Sequence, residues 1–320
     1  MKTNGKRRWL RIALALIGAG ALVFVAAFAA GGFDLKALGG GDSLARAPYL
    51  PDEDFDRVEI RDDLALVRIL PAGDGVCKVQ CDEAREGSCT VEVEDGVLRI
   101  QREQKWYERI GVRFDQPEVT VLLPQARYRA IDARTASGDI EIEDLEADEM
   151  KLECTSGNLT LRNVRAGELE AKSSSGDIKA LDCAFEGEAE LDATSGSVRI
   201  AGTEADGLSV ETTSGGIEIE DVNAGQLEAE STSGGIALID LNAVVRADLH
   251  TASGDIRLER ADAGAFEIRT TSGSVRGSVL SDKLYDVKTA SGNVEIPSSV
   301  RDAGEFRAST TSGDVRITVE

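Results

Sequence analysis

Acidic side chains recur at one position of a repeated unit in the second half of the chain. They lie six residues before the glycine of a Ser-Gly pair and are Glu228, Asp248, Glu267 and Asp286. Strands stacked about 4.8 Å apart would bring these carboxylates together, and the repulsion would favour a divalent cation or a basic partner. The same face also carries His250, Arg269 and Lys288, which can neutralise three of the four carboxylates. A solvated, self-paired face is therefore the favoured interpretation.

A second candidate site lies in residues 102–114, which combine basic and aromatic side chains. It comprises Lys105, Trp106, Tyr107 and Arg109. Such a mixture could contact anionic lipid headgroups or a protein partner, although packing within a terminal cap is slightly favoured. His250 is the only histidine, and we interpret it as a surface residue rather than a pH sensor.

Five cysteines leave at least one unpaired in an oxidising compartment. Cys77 and Cys81 share a candidate strand about 13 Å apart, too far to bond to each other, but either could meet Cys89 across a hairpin. Metal binding is disfavoured, because the chain has one histidine and no closely spaced cysteine pair. Burial as small residues is the better explanation for these cysteines.

We find no catalytic constellation in the sequence. No nucleophile has a histidine partner, and Gly215-Gly216 and Gly234-Gly235 lack the Lys-Ser/Thr of a phosphate loop. We therefore predict a non-enzyme without cofactor or metal. The net charge of −22 also argues against nucleic acid, which requires clustered basic residues.

The elements that position these residues come from a repeat. A Ser-Gly pair recurs ten times, 19–21 residues apart, at Gly138, Gly157, Gly176, Gly196, Gly215, Gly234, Gly254, Gly273, Gly292 and Gly313. Apolar residues lie seven and five positions before each glycine and two and four positions after it, as in two strands with a shift of parity between them. The sequence predicts an all-β fold: a single-chain, parallel β-helix-like solenoid of about ten 19–21-residue coils.

Three details of the coil follow from this pattern. We expect the glycine to adopt positive φ at a corner, and the serine before it to satisfy backbone groups there. A looser return, such as Asn223-Ala224-Gly225, closes the coil. The last coil, ending at Glu320, should form an exposed edge through which the protein self-associates.

The amino terminus predicts a membrane anchor. Basic residues precede an uncharged run from Ile12 to Ala30, which spans roughly 28 Å as a helix and matches a bilayer core of about 30 Å. A cleaved signal peptide, ending near Ala27-Phe28-Ala29, is the alternative. We assign residues 1–11 to a cytoplasmic tail, 12–33 to a transmembrane helix, 34–54 to a linker, 55–127 to irregular β coils or a cap, and 128–320 to the solenoid.

Several segments carry a family resemblance. They are Ala29–Asp34, Phe55–Ile60, Asp95–Ile100, Lys105–Tyr107, Thr135–Ile140 and Thr251–Ile256. With them, nearly the whole chain resembles the bacterial "putative adhesin" family of membrane-anchored β-strand repeat proteins, a domain of unknown function. The resemblance implies proximity to cell-envelope stress systems and supplies no catalytic residue.

These observations predict a non-catalytic, membrane-anchored extracytoplasmic protein. It would act in adhesion, envelope scaffolding or envelope-stress signalling through a rigid acidic solenoid. The expected partners are the membrane, an envelope protein or surface glycan, and a second copy at the C-terminal coil. If the amino-terminal segment is cleaved, the protein is secreted. The alternative is a polysaccharide-binding or polysaccharide-acting β-helix.

Overall fold

The computed structural model describes residues 44–45, 48–83, 89–102 and 117–320, and in these ranges it contains strands and no helix. No described segment is a helix long and apolar enough to span a membrane. The predicted anchor at residues 12–33 lies outside these ranges. The strands are β1 Leu44–Ala45, β2 Arg57–Asp62, β3 Leu66–Pro71, β4 Lys78–Glu83, β5 Cys89–Glu94, β6 Val97–Arg102, β7 Glu118–Leu123, β8 Arg127–Thr135, β9 Ile140–Glu143, β10 Glu146–Cys154, β11 Leu159–Arg162, β12 Arg165–Ser173, β13 Ile178–Leu181, β14 Ala184–Ala193, β15 Val198–Thr212, β16 Ile217–Ser231, β17 Ile236–Thr251, β18 Ile256–Ala263, β19 Ala265–Thr270, β20 Val275–Val279, β21 Lys283–Ser291, β22 Val294–Glu295, β23 Gly304–Ser312 and β24 Val315–Val319.

The strands stack in parallel and form the predicted β-solenoid. Strands that lead into a corner glycine form one ladder, here called the pre-glycine sheet, which runs from β8 through β10, β12 and β14 to the second halves of β15, β16 and β17. Strands that follow the glycine form a second ladder, the post-glycine sheet, which includes β9, β11 and β13. Equivalent residues lie opposite each other, so Leu152 pairs with both Ala133 and Ala171. The apolar positions of the repeat therefore form one continuous core.

The corner glycines are required by close stacking. A Cβ atom built on Gly215 would lie 1.9 Å from the carbonyl oxygen of Gly196 in the coil below, and the other corner glycines meet the same obstacle. The corner glycines from Gly138 to Gly273 do not adopt positive φ, so the expected conformational reason is wrong. The glycine permits neighbouring backbones to touch at the corner.

Positive φ occurs instead at a second turn, six residues after each corner glycine from Gly138 to Gly254. The residues there are Asp144, Asn163, Asp182, Gly202, Asp221, Asp240 and Arg260. Asp, Asn and Gly are the residue types that tolerate this conformation most readily. This turn separates the post-glycine strand from the predicted loose return. The return also directs side chains into the core, because Val164 and Ala166 are as buried as Leu159 and Leu161 of the post-glycine strand. Each coil thus contributes three inward-facing segments.

A buried ladder of hydroxyl groups runs beneath the corners, three residues before the glycine, with Cys154 and Ala193 as the two positions that carry no hydroxyl. Thr212 accepts a hydrogen bond from the Gly215 amide at 3.1 Å and donates one to the Gly196 carbonyl of the preceding coil at 2.9 Å. Ser173, Ser231 and Thr251 make the same pair of bonds. The expectation that the serine directly before the glycine plays this part is wrong, because those serines point to solvent.

The amino-terminal end of the solenoid is covered by antiparallel strands. β2 and β3 form a further coil in which Ala65 takes the glycine position, directly below Gly138. β6 and β7 lie outside β2 and β3, although they follow them in the chain. β5 then pairs antiparallel with β6, and β4 pairs antiparallel with β7. A disulfide between Cys81 and Cys89 joins β4 to β5.

The carboxyl-terminal end also departs from chain order. β23 pairs with β19 on one side and with β21 on the other, and β24 lies likewise between β20 and β22. The coil that comes last in sequence is therefore internal. The outermost coil consists of β21 and β22, which corrects the prediction that the coil ending at Glu320 forms the exposed edge.

Candidate functional site

The predicted acidic column is interrupted by the exchange of the last two coils. Glu228, Asp248 and Glu267 are neighbours in register on the pre-glycine sheet. The next residue in space is Arg307, and Asp286 follows beyond it. The column is therefore not contiguous over four coils, as the sequence had predicted.

Arginine side chains occupy this face. Arg246 donates hydrogen bonds to Asp248 at 2.6 and 2.7 Å and also contacts Glu267. Arg269 forms an ion pair with the same Glu267 carboxylate. Lys288 pairs with Asp286 at 3.1 Å. Among the described residues, no group of three or more His, Cys, Asp or Glu side chains is placed to hold a metal ion.

His250 lies on the same face and is nearly half exposed. Its Nε2 atom is 4.0 Å from a Glu230 carboxylate oxygen, and Glu230 stacks in register between His250 and Glu211. Within the described part of the chain, Glu211 and Glu228 make no ion pair. The middle of the pre-glycine sheet is thus an acidic surface bordered by one imidazole.

The amino-terminal half of the same sheet carries a continuous ion-pair network. Arg61 joins Glu59 and Asp132, at 3.2 and 2.7 Å, and Arg134 joins Asp132 to Glu153. The network continues to Asp192 through further pairs. These involve Lys151, Glu170, Lys172 and Glu190. Opposite charges on adjacent coils attract across the strand spacing, so the network stabilises the stacking register.

The titration of this network follows from its contacts. Hydrogen bonds from Lys151 and Lys172 lower the pKa of Glu170. A hydrogen bond from Lys172 lowers the pKa of Glu190, whereas burial raises the pKa of Asp192. Lys172 lies 2.9 Å from Glu190 and 3.1 Å from Asp192. The two carboxylates are therefore bridged by an ammonium group, which leaves neither free as a general acid.

A shallow groove of about 670 Å³ follows the corner of this sheet across several coils. One wall carries charged side chains, including Arg134 and Lys172, and the other carries hydroxyl groups, including Thr155 and Thr194. The groove ends at Asp62 and Arg102, which form an ion pair at 2.8 Å with both side chains almost fully buried. Its open shape and mixed polar walls suit an extended polar chain better than a compact substrate.

The remaining thiols are structural. Cys77, Cys154 and Cys183 are free and buried. Burial raises the pKa of Cys77 to about 11, so this thiol stays protonated at neutral pH. Cys154 occupies a position of the hydroxyl ladder, where its Sγ accepts from the Gly157 amide and donates to the Gly138 carbonyl. The predicted contact residues Lys105, Trp106, Tyr107 and Arg109 lie outside the described residues.

Comparison with known proteins matches the stacked coils to one family. The sequence profile of the Toastrack DUF4097 family matches residues 55–240 and 203–320. The chain belongs to this family. The Toastrack profile thus covers both the irregular amino-terminal strands and the Ser-Gly repeats, and it confirms the adhesin-like, domain-of-unknown-function family predicted from the sequence.

Solved structures are similar to this chain at low sequence identity. A "putative lipid binding protein" of Parabacteroides distasonis is 16% identical, with a TM-score of 0.50, over 88% of this chain and 98% of that one. A "putative adhesin" of Bacteroides fragilis is 15% identical (TM-score 0.41, 86% and 96% covered), and one of P. distasonis is 16% identical (TM-score 0.45, 86% and 98% covered). At 16% identity, the likeness to the "putative lipid binding protein" shows the fold alone. No curated protein matches the sequence.

Proposed function

We propose that the protein is a non-catalytic, membrane-anchored extracytoplasmic protein that uses a rigid acidic solenoid in adhesion, envelope scaffolding or envelope-stress signalling. The observation that carries this proposal is the uniformity of the coils. Their lengths differ by at most two residues, and charged side chains cover their outer faces. Such a body offers long, regular surfaces to an envelope protein or a surface glycan.

Export is supported by cysteine chemistry and by the amino-terminal sequence. The Cys81–Cys89 disulfide is a feature of proteins that reside in oxidising compartments. The uncharged run from Ile12 to Ala30 follows a basic segment, the arrangement that leaves the amino terminus in the cytoplasm. We therefore place residues 34–320 outside the cytoplasm, anchored in the cell membrane if the run is retained and secreted if it is cleaved.

The non-catalytic assignment rests on how the titratable groups are arranged. Glycan-cleaving enzymes hold two carboxyl groups at a defined separation in a cleft. Here Glu190 and Asp192, two carboxylates that interact with each other, are bridged by Lys172. The thiols are buried, and His250 has a carboxylate as its only ion-pair partner in the described chain.

Polysaccharide binding is the second candidate, and the open groove favours it. A chain of sugar units could lie along the row of hydroxyl groups that includes Thr155 and Thr194, with its acidic substituents near Arg134. Cleavage of such a chain would be a further step, and three of the carboxylates that line the groove are held in ion pairs: Asp62 with Arg102, Glu153 with Arg134 and Asp192 with Lys172.

Protease accessibility in spheroplasts tests the location. Added protease should digest the body of the full chain in spheroplasts, while a cytoplasmic marker protein remains whole. Protection of the body in spheroplasts, with digestion only after lysis, would place it in the cytoplasm and contradict the proposal.

Binding of the full chain to envelope preparations tests the role. Pull-down from solubilised envelopes should recover a partner, and the variant Arg134→Glu should separate the two candidates. Loss of binding to purified envelope glycans in this variant, but not in Arg257→Glu on the post-glycine sheet, would favour the groove. Release of reducing ends from any envelope glycan by the wild-type protein would refute the non-catalytic assignment.

A further inference from the structure

The carboxyl-terminal end of the solenoid exposes the core. Of the ten exposed large apolar side chains in the described residues, six belong to this end. They are Leu280, Leu284, Val294, Ile296, Val300 and Val319. Val294 is 42% exposed, although its partner in the adjacent coil, Val315, is fully buried. Val294 occupies an inward-facing position that lacks a covering coil.

Main-chain groups are also open at this end. The Tyr285 amide donates to the Ser299 hydroxyl, and the Lys283 carbonyl accepts from the Val300 amide, so the loop after β22 covers the start of β21. Main-chain groups of alternate residues point the same way along a strand. The groups of Val287 and Thr289 therefore point away from β23, beyond the reach of this loop. An exposed strand of this kind is a template for pairing with another strand.

We infer that this open end docks onto the open end of a second copy. A solenoid coil is covered most completely by another coil of the same repeat, whose inward positions match its own. Head-to-tail stacking is opposed by the antiparallel strands β4 and β5, which cover the other end. The arrangement that remains is a closed two-fold dimer, in which identical ends meet.

Charge supports a second copy at this end. Residues 280–303 carry four acidic and three basic side chains, a net charge of −1. Two such ends do not repel each other strongly. Asp286 and Lys288 lie beside each other on the outer side of β21, so an opposing strand meets both signs.

The dimer also extends the proposed function. The chain enters the solenoid through β1 and β2, at the end opposite to β21. Two solenoids joined end to end place these entry points at the far ends of one rod. This step rests on the membrane anchor proposed above: if both copies are anchored, the dimer bridges two facing membranes.

Sedimentation of the full chain in density-matched detergent tests the interface. The wild type should show a concentration-dependent dimer. The double variant Val294→Lys/Ile296→Lys should raise its dissociation constant at least about tenfold, because it places charge in the centre of the contact. Val76→Lys is the matched control, since Val76 is 47% exposed in the segment before β4. A monomer at every concentration, open-ended oligomers, or equal effects of the two variants would overturn the inference.

Chemical probes distinguish a second copy at the carboxyl-terminal end from another part of the same chain that covers it. The variant Lys288→Cys should give a crosslinked dimer with a short bis-maleimide, because the native free thiols are buried, whereas Lys179→Cys in mid-solenoid should not. A monomer in which Val294→Cys is protected from maleimide would mean that another part of the same chain covers the end. That result would overturn the proposed dimer.

Vesicles that contain the full chain separate the interface from the membrane step. Clustering that depends on Val294 and Ile296 is expected. A detergent dimer whose vesicles never cluster would refute the bridging of membranes and would leave the dimer itself supported.

Discussion

A pair of adjacent glycines offers a sharp test of why the repeat requires glycine at its corner. In Gly215→Ala, the new Cβ atom would lie 1.9 Å from the Gly196 carbonyl oxygen, 2.5 Å from its carbon and 2.8 Å from the Ser197 nitrogen. All three are backbone atoms, so the neighbouring coil must move by more than about 1 Å to restore ordinary contact. In Gly216→Ala, the nearest atom is the Gly235 carbonyl oxygen at 3.6 Å, an ordinary contact.

The two substitutions should change the free energy of unfolding by different amounts and in different directions. Overpacking by one methyl group costs about 1–3 kcal/mol. The displacement also strains the hydrogen bonds of the corner, including that from Thr212 to Gly196, at about 1 kcal/mol each. We expect Gly215→Ala to lower the free energy of unfolding by about 3 kcal/mol or more. Gly216 has no positive φ, so Gly216→Ala should be neutral or raise it by up to about 1 kcal/mol.

Urea unfolding followed by circular dichroism measures both variants against the wild type, and hydrogen exchange locates the effect. Exchange should accelerate in Gly215→Ala at the corner amides Thr213 and Ser214, which bond to the coil below. Equal stability of the two variants would refute close stacking as the reason for the glycine column.

Further predictions concern the hydroxyl ladder, the ion pairs and the open end. Ser231→Ala should lower the free energy of unfolding by about 1–3 kcal/mol, because it leaves the Gly234 amide and the Gly215 carbonyl without their side-chain partner. Cys154→Ser should leave the free energy of unfolding nearly unchanged, because a hydroxyl can make the same bonds. Urea titration measures the free energy of unfolding of both variants. Lys283→Met should destabilise β19 to β24 by about 3 kcal/mol, since it removes the cation that pairs with Asp262 and the donor to the Ala263 carbonyl, and hydrogen exchange should confine the change to those strands. The folded-state pKa of Glu170 is lowered, so the contribution of Glu170 to stability is present above its ordinary pKa near 4.5 and is lost as pH falls below that value. Glu170→Gln should therefore flatten this part of the stability profile, measured by acid titration. An unchanged profile would contradict the assignment.

The repeat itself could be predicted from the sequence, because spacing and polarity determine which residues of a coil face inward. Positions such as Leu208 and Val210 before Gly215, and Ile217 and Ile219 after it, are buried as predicted. The second turn could have been found from the recurrence of Asp or Asn at Asp144, Asn163 and Asp182. The sequence pattern did not distinguish it from a looser return.

The order of the end coils could not be predicted in the same way. Each coil presents similar apolar positions to either neighbour, so the pattern at Phe266, Tyr285 and Phe306 fits more than one stacking order. Specific contacts distinguish these orders: Phe306 packs between the rings of Phe266 and Tyr285, at 5.4 Å from each. The buried Lys283 also bonds to Asp262 and Ala263. Those contacts join residues about 20–40 positions apart, beyond the reach of a local pattern.

The same exchange explains why the candidate acidic column was interpreted incorrectly. Sequence order places Asp286 next to Glu267, whereas the structure inserts Arg307 between them. A site inferred by stacking repeats in sequence order is reliable only where the coils also follow that order, as they do from β8 to β19.

Engineered cysteine pairs test the stacking order most directly. Glu267 and Arg307 are in-register neighbours on adjacent parallel strands, about 4.8 Å apart, whereas Glu267 and Asp286 are separated by a whole strand, at about 9.6 Å. Under mild oxidation, Glu267→Cys/Arg307→Cys should form an intramolecular disulfide, identified by peptide mapping, and Glu267→Cys/Asp286→Cys should not. The opposite outcome would place the coils in sequence order and contradict the stacked arrangement described here.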